Sequence, residues 1–303
     1  MYPPLSIYRS KKMDFNPVRN NQNNPLTAYM RQPKIYIRLP SQGQFWPTGS
    51  LENTATGEFP VYSMTAKDEL LLKVPDALLN GQAVVDVIQS CVPNIKDAWK
   101  MPSLDVDVVL LGMRIATYGE MMTTPVKLEN GEEYEYSADL RKVMDDLMSS
   151  IHWDQILPIN NEMTIYLRPL TYKSITDAAI KTFETQRMLQ TVNEDKISDE
   201  EKSRLFKDSF NKLSAATIGT LNTCIYKIDT PAGSVENALF IREFVDNMDK
   251  SIFDAVQKHL TRLQEGNSIK PIKITVTDDM RAKGATGDTI EIPITFDPST
   301  FFA

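Results

Sequence analysis

Two histidines, two cysteines and a few neighbouring carboxylates are the residues whose types could do chemistry. His152 adjoins Trp153, and His259 lies beside Val256 and Leu260 at helical spacing. Either could move protons for a Ser or Cys nucleophile. Neither has such a partner at a recognisable motif spacing, and His259 reads as a surface or partly packed residue. Asp105 and Asp107 resemble a carboxylate pair. On a helix, however, residues i and i+2 point to different faces and cannot converge on one substrate atom. Acids complementing the positive end of a helix account for them better, and Asp145 with Asp146 falls to the same argument. Gly284 to Thr289 (GATGDT) is the most loop-like glycine segment. It lacks the Lys-Ser/Thr of a phosphate loop and precedes a strand, so it reads as a turn. Cys91 and Cys224 sit far apart in apolar helical contexts and read as free buried thiols. No catalytic residue, cofactor or metal is therefore expected, and the chain reads as a non-enzyme.

The elements around these residues follow from periodicity and punctuation. Lys34 to Leu39 (KIYIRL) alternates and predicts a strand; Phe59 to Met64 predicts a second. The stretch from Met64 to Gly119 is dense in apolar residues and broken by caps and prolines. Thr65 opens a helix with Asp68 and Glu69 in its first turn. Asp76 opens a short one ending at Asn80-Gly81, and Gln82 to Cys91 is another, stopped before Pro93. Ser103 caps the next, whose Leu104, Val108, Leu111 and Ile115 share a face up to Gly119. Pro125 to Tyr136 predicts a hairpin with Asn130-Gly131 at its turn. Ala138 to Ser149 is helical and Glu162 to Arg168 is a strand. Thr171 caps a helix carrying Ile175, Ala179 and Phe183. Ser198 and Glu201 form a capping box before a long helix carrying Phe206, Phe210, Leu213, Leu221 and Ile225. Ser234 caps a further helix, and Ile252 to Leu263 lies on another that ends at Gly266. Two late strands, Ile272 to Val276 and Thr289 to Phe296, follow. The expected fold is mixed α+β, mainly helical, with short strands in small antiparallel sheets. The expected division is an extended arm (1–33), a strand-plus-helices lobe (34–119), a hairpin and helical lobe (120–265), and C-terminal strands with an aromatic tail (266–303).

Charge narrows the partners. The chain of 303 residues has a net charge of -7. Residues 1–34 carry six basic residues against Asp14 alone, a net +5, which leaves -12 for the remainder. An acidic body disfavours nucleic-acid binding, which needs a basic face for phosphates. The longest apolar run, Val106 to Gly112, is broken by Asp107 and too short for a bilayer, and no secretory signal is visible. Five prolines and five asparagines keep the first 33 residues from burying much apolar surface. Either the arm is a solvated tail, or its Tyr2, Tyr8, Arg9, Phe15, Arg19, Tyr29 and Arg31 anchor it on a partner. Phe301 and Phe302 leave the same choice open: they cover their own core or insert into a neighbouring subunit.

Four ordered strings carry a resemblance: Asn24 to Pro47 (NPLTAYMRQPKIYIRLPSQGQFWP), Met64 to Gly81, Val87 to Trp99, and Asp105 to Gly119 (DVDVVLLGMRIATYG). They resemble the baseplate hub subunit, or hub assembly protein, of T-even-like contractile-tailed bacteriophages. Glu162 to Pro169 and the terminal FDPSTFF fit more loosely. The resemblance implies a structural, non-enzymatic virion protein of the tail baseplate hub, assembled in the host bacterial cytoplasm. It implies other hub and tail proteins as partners, the tape measure among them, and several copies about a symmetric axis. An alternative under the same resemblance is a transient hub or tape-measure assembly chaperone absent from the mature virion. Some relatives carry Cys-x-x-Cys pairs after the Thr-Tyr-Gly motif or near the C-terminus, a zinc spacing. Here Glu120 to Tyr136 and Val276 to Ile292 contain no cysteine, so no metal is expected.

Overall fold

The helix that organises the fold is Ser103–Tyr118, and it is buried on nearly all sides. In the computed structural model, which describes residues 25–74, 81–128, 130, 132–192 and 199–294, twelve of its sixteen residues are buried. A helix buried on nearly all sides must be enclosed by other elements. Numbered in chain order, it is α3. Strands β1 (Pro33–Arg38) and β2 (Glu58–Tyr62) pair antiparallel, with Ile37 opposite Phe59. Their inner face lies on α3 at Gly112, where an added Cβ would sit 3.1 Å from Ile37 Cγ2. Only a residue without a side chain lets strand and helix approach this closely.

α1 (Ala66–Leu72) and α2 (Gln82–Cys91) complete the enclosure. The Thr65 hydroxyl accepts from the Asp68 N–H at 3.2 Å, while Asp68 Oδ2 accepts from the Thr65 N–H at 2.8 Å. This reciprocal box fixes the start of α1. Gly81, at φ 75, turns the chain into α2. β3 (Met121–Lys127) and β4 (Glu133–Asp139) form the expected hairpin. The Leu128 N–H donates to Glu132 O, which puts three residues at the tip instead of two. The helix after it, α4 (Leu140–Ser150), starts later than its apolar pattern suggests: Ala138 belongs to β4, and the Asp139 carboxylate caps the helix. The first apolar cluster runs from Ile37 through α3 to Leu147 on α4 and also takes in Ile294.

A second cluster gathers on a four-stranded antiparallel sheet. Its strands are β5 (Ile156–Pro158), β6 (Thr164–Leu167), β7 (Ile225–Thr230) and β8 (Gly233–Val235), in that order. Between β6 and β7 the chain leaves as α5 (Tyr172–Val192) and returns as α6 (Asp199–Cys224). α7 (Ala238–Asn247) and α8 (Lys250–Gly266) cover the sheet with Ile241, Val245, Val256 and Leu260. β9 (Ile272–Thr275), the short α9 (Asp278–Ala282) and β10 (Thr289–Ile292) form a small unit against the β3–β4 tip. The two clusters join where Ser103 N donates to Leu170 O at 2.7 Å and Tyr172 N to Met101 O at 2.8 Å.

The α+β class with small antiparallel sheets is as expected, and several boundaries move. Ser103 is the first helical residue, and Pro102 stands at the cap. Ile225 does not continue α6; it begins β7 opposite Leu167. Ser234 lies in β8, and the Asn237 side chain caps α7 by accepting from Leu239 N at 2.9 Å. The short helix expected at Asp76 and the Ser198 cap lie outside the described residues, as do 1–24 and 295–303.

The Gly112 contact generates a stability test. Gly112→Val is expected to push β1 off α3 and cost about 1–3 kcal/mol. Urea denaturation monitored by circular dichroism measures it. A midpoint unchanged from the parent chain would show that the strand does not rest on this residue.

Candidate functional site

Several of the groups with catalytic potential sit in structural contacts. The Asp105 carboxylate, 0% exposed, accepts from Ser41 N at 2.8 Å, Ser41 Oγ at 2.5 Å and Trp46 Nε1 at 2.7 Å. It ties the loop after β1 to the first turn of α3. That loop holds Gln42 and Phe45 at φ 53 and 66, a region side-chain-bearing residues rarely occupy. The carboxylate is thus more than a dipole complement. Asp107 points elsewhere, as the i, i+2 spacing requires, and accepts from the Ile269 N–H. Burial pushes Asp105 up to about 6 against the pull of its three donors. Burial likewise pushes Asp107 up to about 6.

His259 is more deeply packed than its sequence context suggests, at 6% exposed. Its Nε2 lies 2.9 Å from Asp154 O, and its Nδ1 lies 3.0 Å from Arg262 Nη2. The guanidinium can only donate, so Nδ1 accepts and Nε2 carries the hydrogen. The ring is a strut between α8 and the approach to β5. His152 meets Asn267 through its backbone: its N–H donates to Asn267 Oδ1 at 2.7 Å, and its carbonyl accepts from Asn267 Nδ2 at 3.1 Å. Cys91 and Cys224 are buried and unpaired. Burial raises both thiols to about 12, so neither offers a thiolate near neutral pH. No group of three or more His, Cys, Asp or Glu converges on a metal position among the described residues.

Among the arm residues, Arg31 is engaged inside the chain. Its Nη1 donates to Ser63 O at 2.8 Å, its Nη2 to Ser90 O at 2.7 Å and Ser90 Oγ at 2.9 Å, and Asp68 lies 3.6 Å away. One guanidinium therefore clasps the end of β2, the start of α1 and the end of α2. Tyr29, two residues earlier, is 86% exposed. Tyr2, Tyr8, Arg9, Phe15, Arg19, Phe301 and Phe302 lie outside the described residues.

The outward surface of the α5–α6 pair has an inverted polarity. Ser209 is 2% exposed and Thr185 4%, whereas Phe206 and Phe210 are 64% and 68% exposed. Leu213 and Phe183 are exposed too, as are Leu239 and Phe240 on α7. The spacing i, i+4, i+7 correctly puts Phe206, Phe210 and Leu213 on one face. Periodicity carries no sign for whether that face meets the core or water, and sequence reasoning missed this surface for that reason. Contiguous exposed apolar patches on folded proteins mark contact surfaces.

A family model described as T4 bacteriophage base plate protein matches residues 30–279. The chain belongs to this family. Membership gives it a structural role in the phage tail baseplate, among other tail proteins. No curated protein and no solved structure matches the chain. No helix among the described residues is long and apolar enough to cross a membrane.

The two raised carboxylates give the base plate protein a pH signature. A folded value above the ordinary 3.8 means the group favours the fold below about 4, and this contribution is lost as pH rises through about 6. Asp107→Asn keeps an oxygen for the Ile269 N–H and removes the charge. The variant's stability relative to the parent is expected to rise by about 1–2 kcal/mol between pH 4.5 and pH 7.5, after discounting partial solvation. Denaturant midpoints at the two pH values measure this. An equal difference at both would contradict it.

Proposed function

We propose that the chain is a non-enzymatic structural subunit of the baseplate hub in a contractile phage tail. It acts by burying surface against neighbouring hub and tail proteins, the tape measure among them, in several copies about a symmetric axis. The observation that carries this reading is the inverted α5–α6 pair, with hydroxyls in its seam and phenylalanines outside, in a base plate family member. At about 25 cal/mol per Å2, such a surface is a cost in isolation and an asset once covered. Its sequence resemblance to hub subunits between residues 24 and 119 supplies the hub assignment within the baseplate.

In this reading the chain is organised as the arm, the 34–119 lobe, the 120–265 lobe and the C-terminal strands and tail. Tyr2, Tyr8, Arg9, Phe15, Arg19 and Tyr29 anchor the basic arm on partners, and Phe301 and Phe302 anchor the tail. Arg31 holds the root of the arm against the end of β2, α1 and α2. Quantitative mass spectrometry of purified virions tests the proposal. The expected result is this chain in every tail at a fixed multiple-copy ratio to other hub proteins. Its presence in infected cells but absence from mature particles would replace the structural role with that of a transient assembly chaperone.

A further inference from the structure

The chemistry of the exposed α6 stripe selects its occupant. At 100° per residue, Phe206, Phe210 and Leu213 fall within a strip of about 60°. Lys202 lies on one edge and Lys207 on the other. Neither lysine forms an ion pair with a residue whose side chain is described, and the adjacent Glu201 pairs with Arg204 at 3.5 Å instead. The surface is therefore apolar with a basic rim, on a chain of net charge -7. It fits an apolar segment that carries acid.

Two occupants are disfavoured by charge. The N-terminal segment has Arg9, Lys11, Lys12 and Arg19 against Asp14 alone, so it is like-charged with the rim. A symmetric stripe-on-stripe contact between two copies would pack Phe206 against Phe210 about an axis near residue 208. It would then bring the two copies' Lys207 residues together, and like charges across such an axis repel. The segment after Ile294 has the right chemistry. It contains Phe296, Phe301 and Phe302 with Asp297, and residues 284–303 include no Lys or Arg. The lengths agree as well. Extended chain from Asp297 to Phe302 spans about 17 Å, and Lys202 to Leu213 along the helix spans about 16 Å. Ile294 is buried in the first cluster, while the principal neighbours of α6 are α5, α7 and β7.

We infer that residues 295–303 of one copy dock on the Phe206–Phe210–Leu213 stripe of a second copy, with Asp297 at the lysine rim. Such a contact joins two different surfaces, head to tail, and closes into a ring or extends according to its rotation. The inference rests on the multi-copy reading above and names its contact.

Sedimentation of purified chains tests it. The full chain is expected to self-associate with rising concentration. Deleting 295–303, or combining Phe206→Ser with Phe210→Ser, should leave each variant monomeric. An equimolar mixture of the two should form one-to-one dimers that do not extend, because one intact tail meets one intact stripe. A labelled 295–303 peptide should bind the tail-less chain, and Phe210→Ser should weaken it about tenfold or more. Lys202→Glu with Lys207→Glu should weaken it too, and an Asp297→Lys peptide should restore binding. Phe206, Lys207 and Phe210 are exposed and Lys202 is partly so, and melting temperatures of the substituted chains should match the parent. A tail-less chain that still self-associates, peptide binding indifferent to the stripe, or a monomeric full chain would each overturn the inference. The virion measurement is separate: a chain present in tails yet monomeric alone removes this contact and leaves the hub assignment standing.

Discussion

The buried carboxylate of Asp105 is the interaction on which the first half of the structure depends. Three donors from Ser41 and Trp46 converge on it, and all come from a loop some sixty residues earlier in the chain. That carboxylate anchors a loop whose own turn hydrogen bonds hold Gln42 and Phe45 at positive φ. The loop in turn follows β1, whose Ile37 rests on Gly112 of the same helix. Helix α3 is thus pinned at its start by a polar cluster and at its middle by a strand. Arg31 adds a second clasp beside it, tying α1, α2 and β2 through four groups. Buried polar groups that are fully partnered in this way specify one arrangement of a core that apolar packing alone would leave loose.

That rigidity contrasts with the α5–α6 pair. Ser209 is sealed inside its seam with no hydrogen-bond partner for its hydroxyl among the described residues, while Phe206 and Phe210 face out. Taken as an isolated molecule, this polarity is unfavourable on both counts, since a buried unpaired hydroxyl and an exposed ring each cost free energy. It makes physical sense in a protein whose working state is assembled. Membership in the base plate family supplies that setting, and the exhaustion of Asp105, Asp107, His259 and both thiols in structural contacts agrees with it.

Local signals in the sequence carry through to the structure because their causes are local. The Thr65–Asp68 box, the Gly119 stop and the β3–β4 hairpin depend on residues a few positions apart. Asp105 was legible as an acid in a first helical turn, but its real partners are 59 and 64 residues away. β7 escaped for the same reason: it becomes a strand by pairing with β6 across the long α5–α6 excursion. β5 and β8, at three residues each, are local hairpin partners of β6 and β7 and too short to show a period. Ile225 has helical phase with Leu221, yet pairing with Leu167 takes it into the sheet. The stripe on α6 was visible as a period and invisible as a surface, because burial is decided by which neighbours are present.

The central claim is that the outer face of α6 is covered when the chain does its work and that α3 is a permanent core. Hydroxyl-radical footprinting of the free chain and of assembled baseplates tests it in one measurement. The account expects Phe206, Phe210 and Leu213 to be strongly oxidised in the free chain and protected in the baseplate, with Leu111 and Met113 of α3 protected in both. Equal oxidation of the α6 residues in the two states would contradict it.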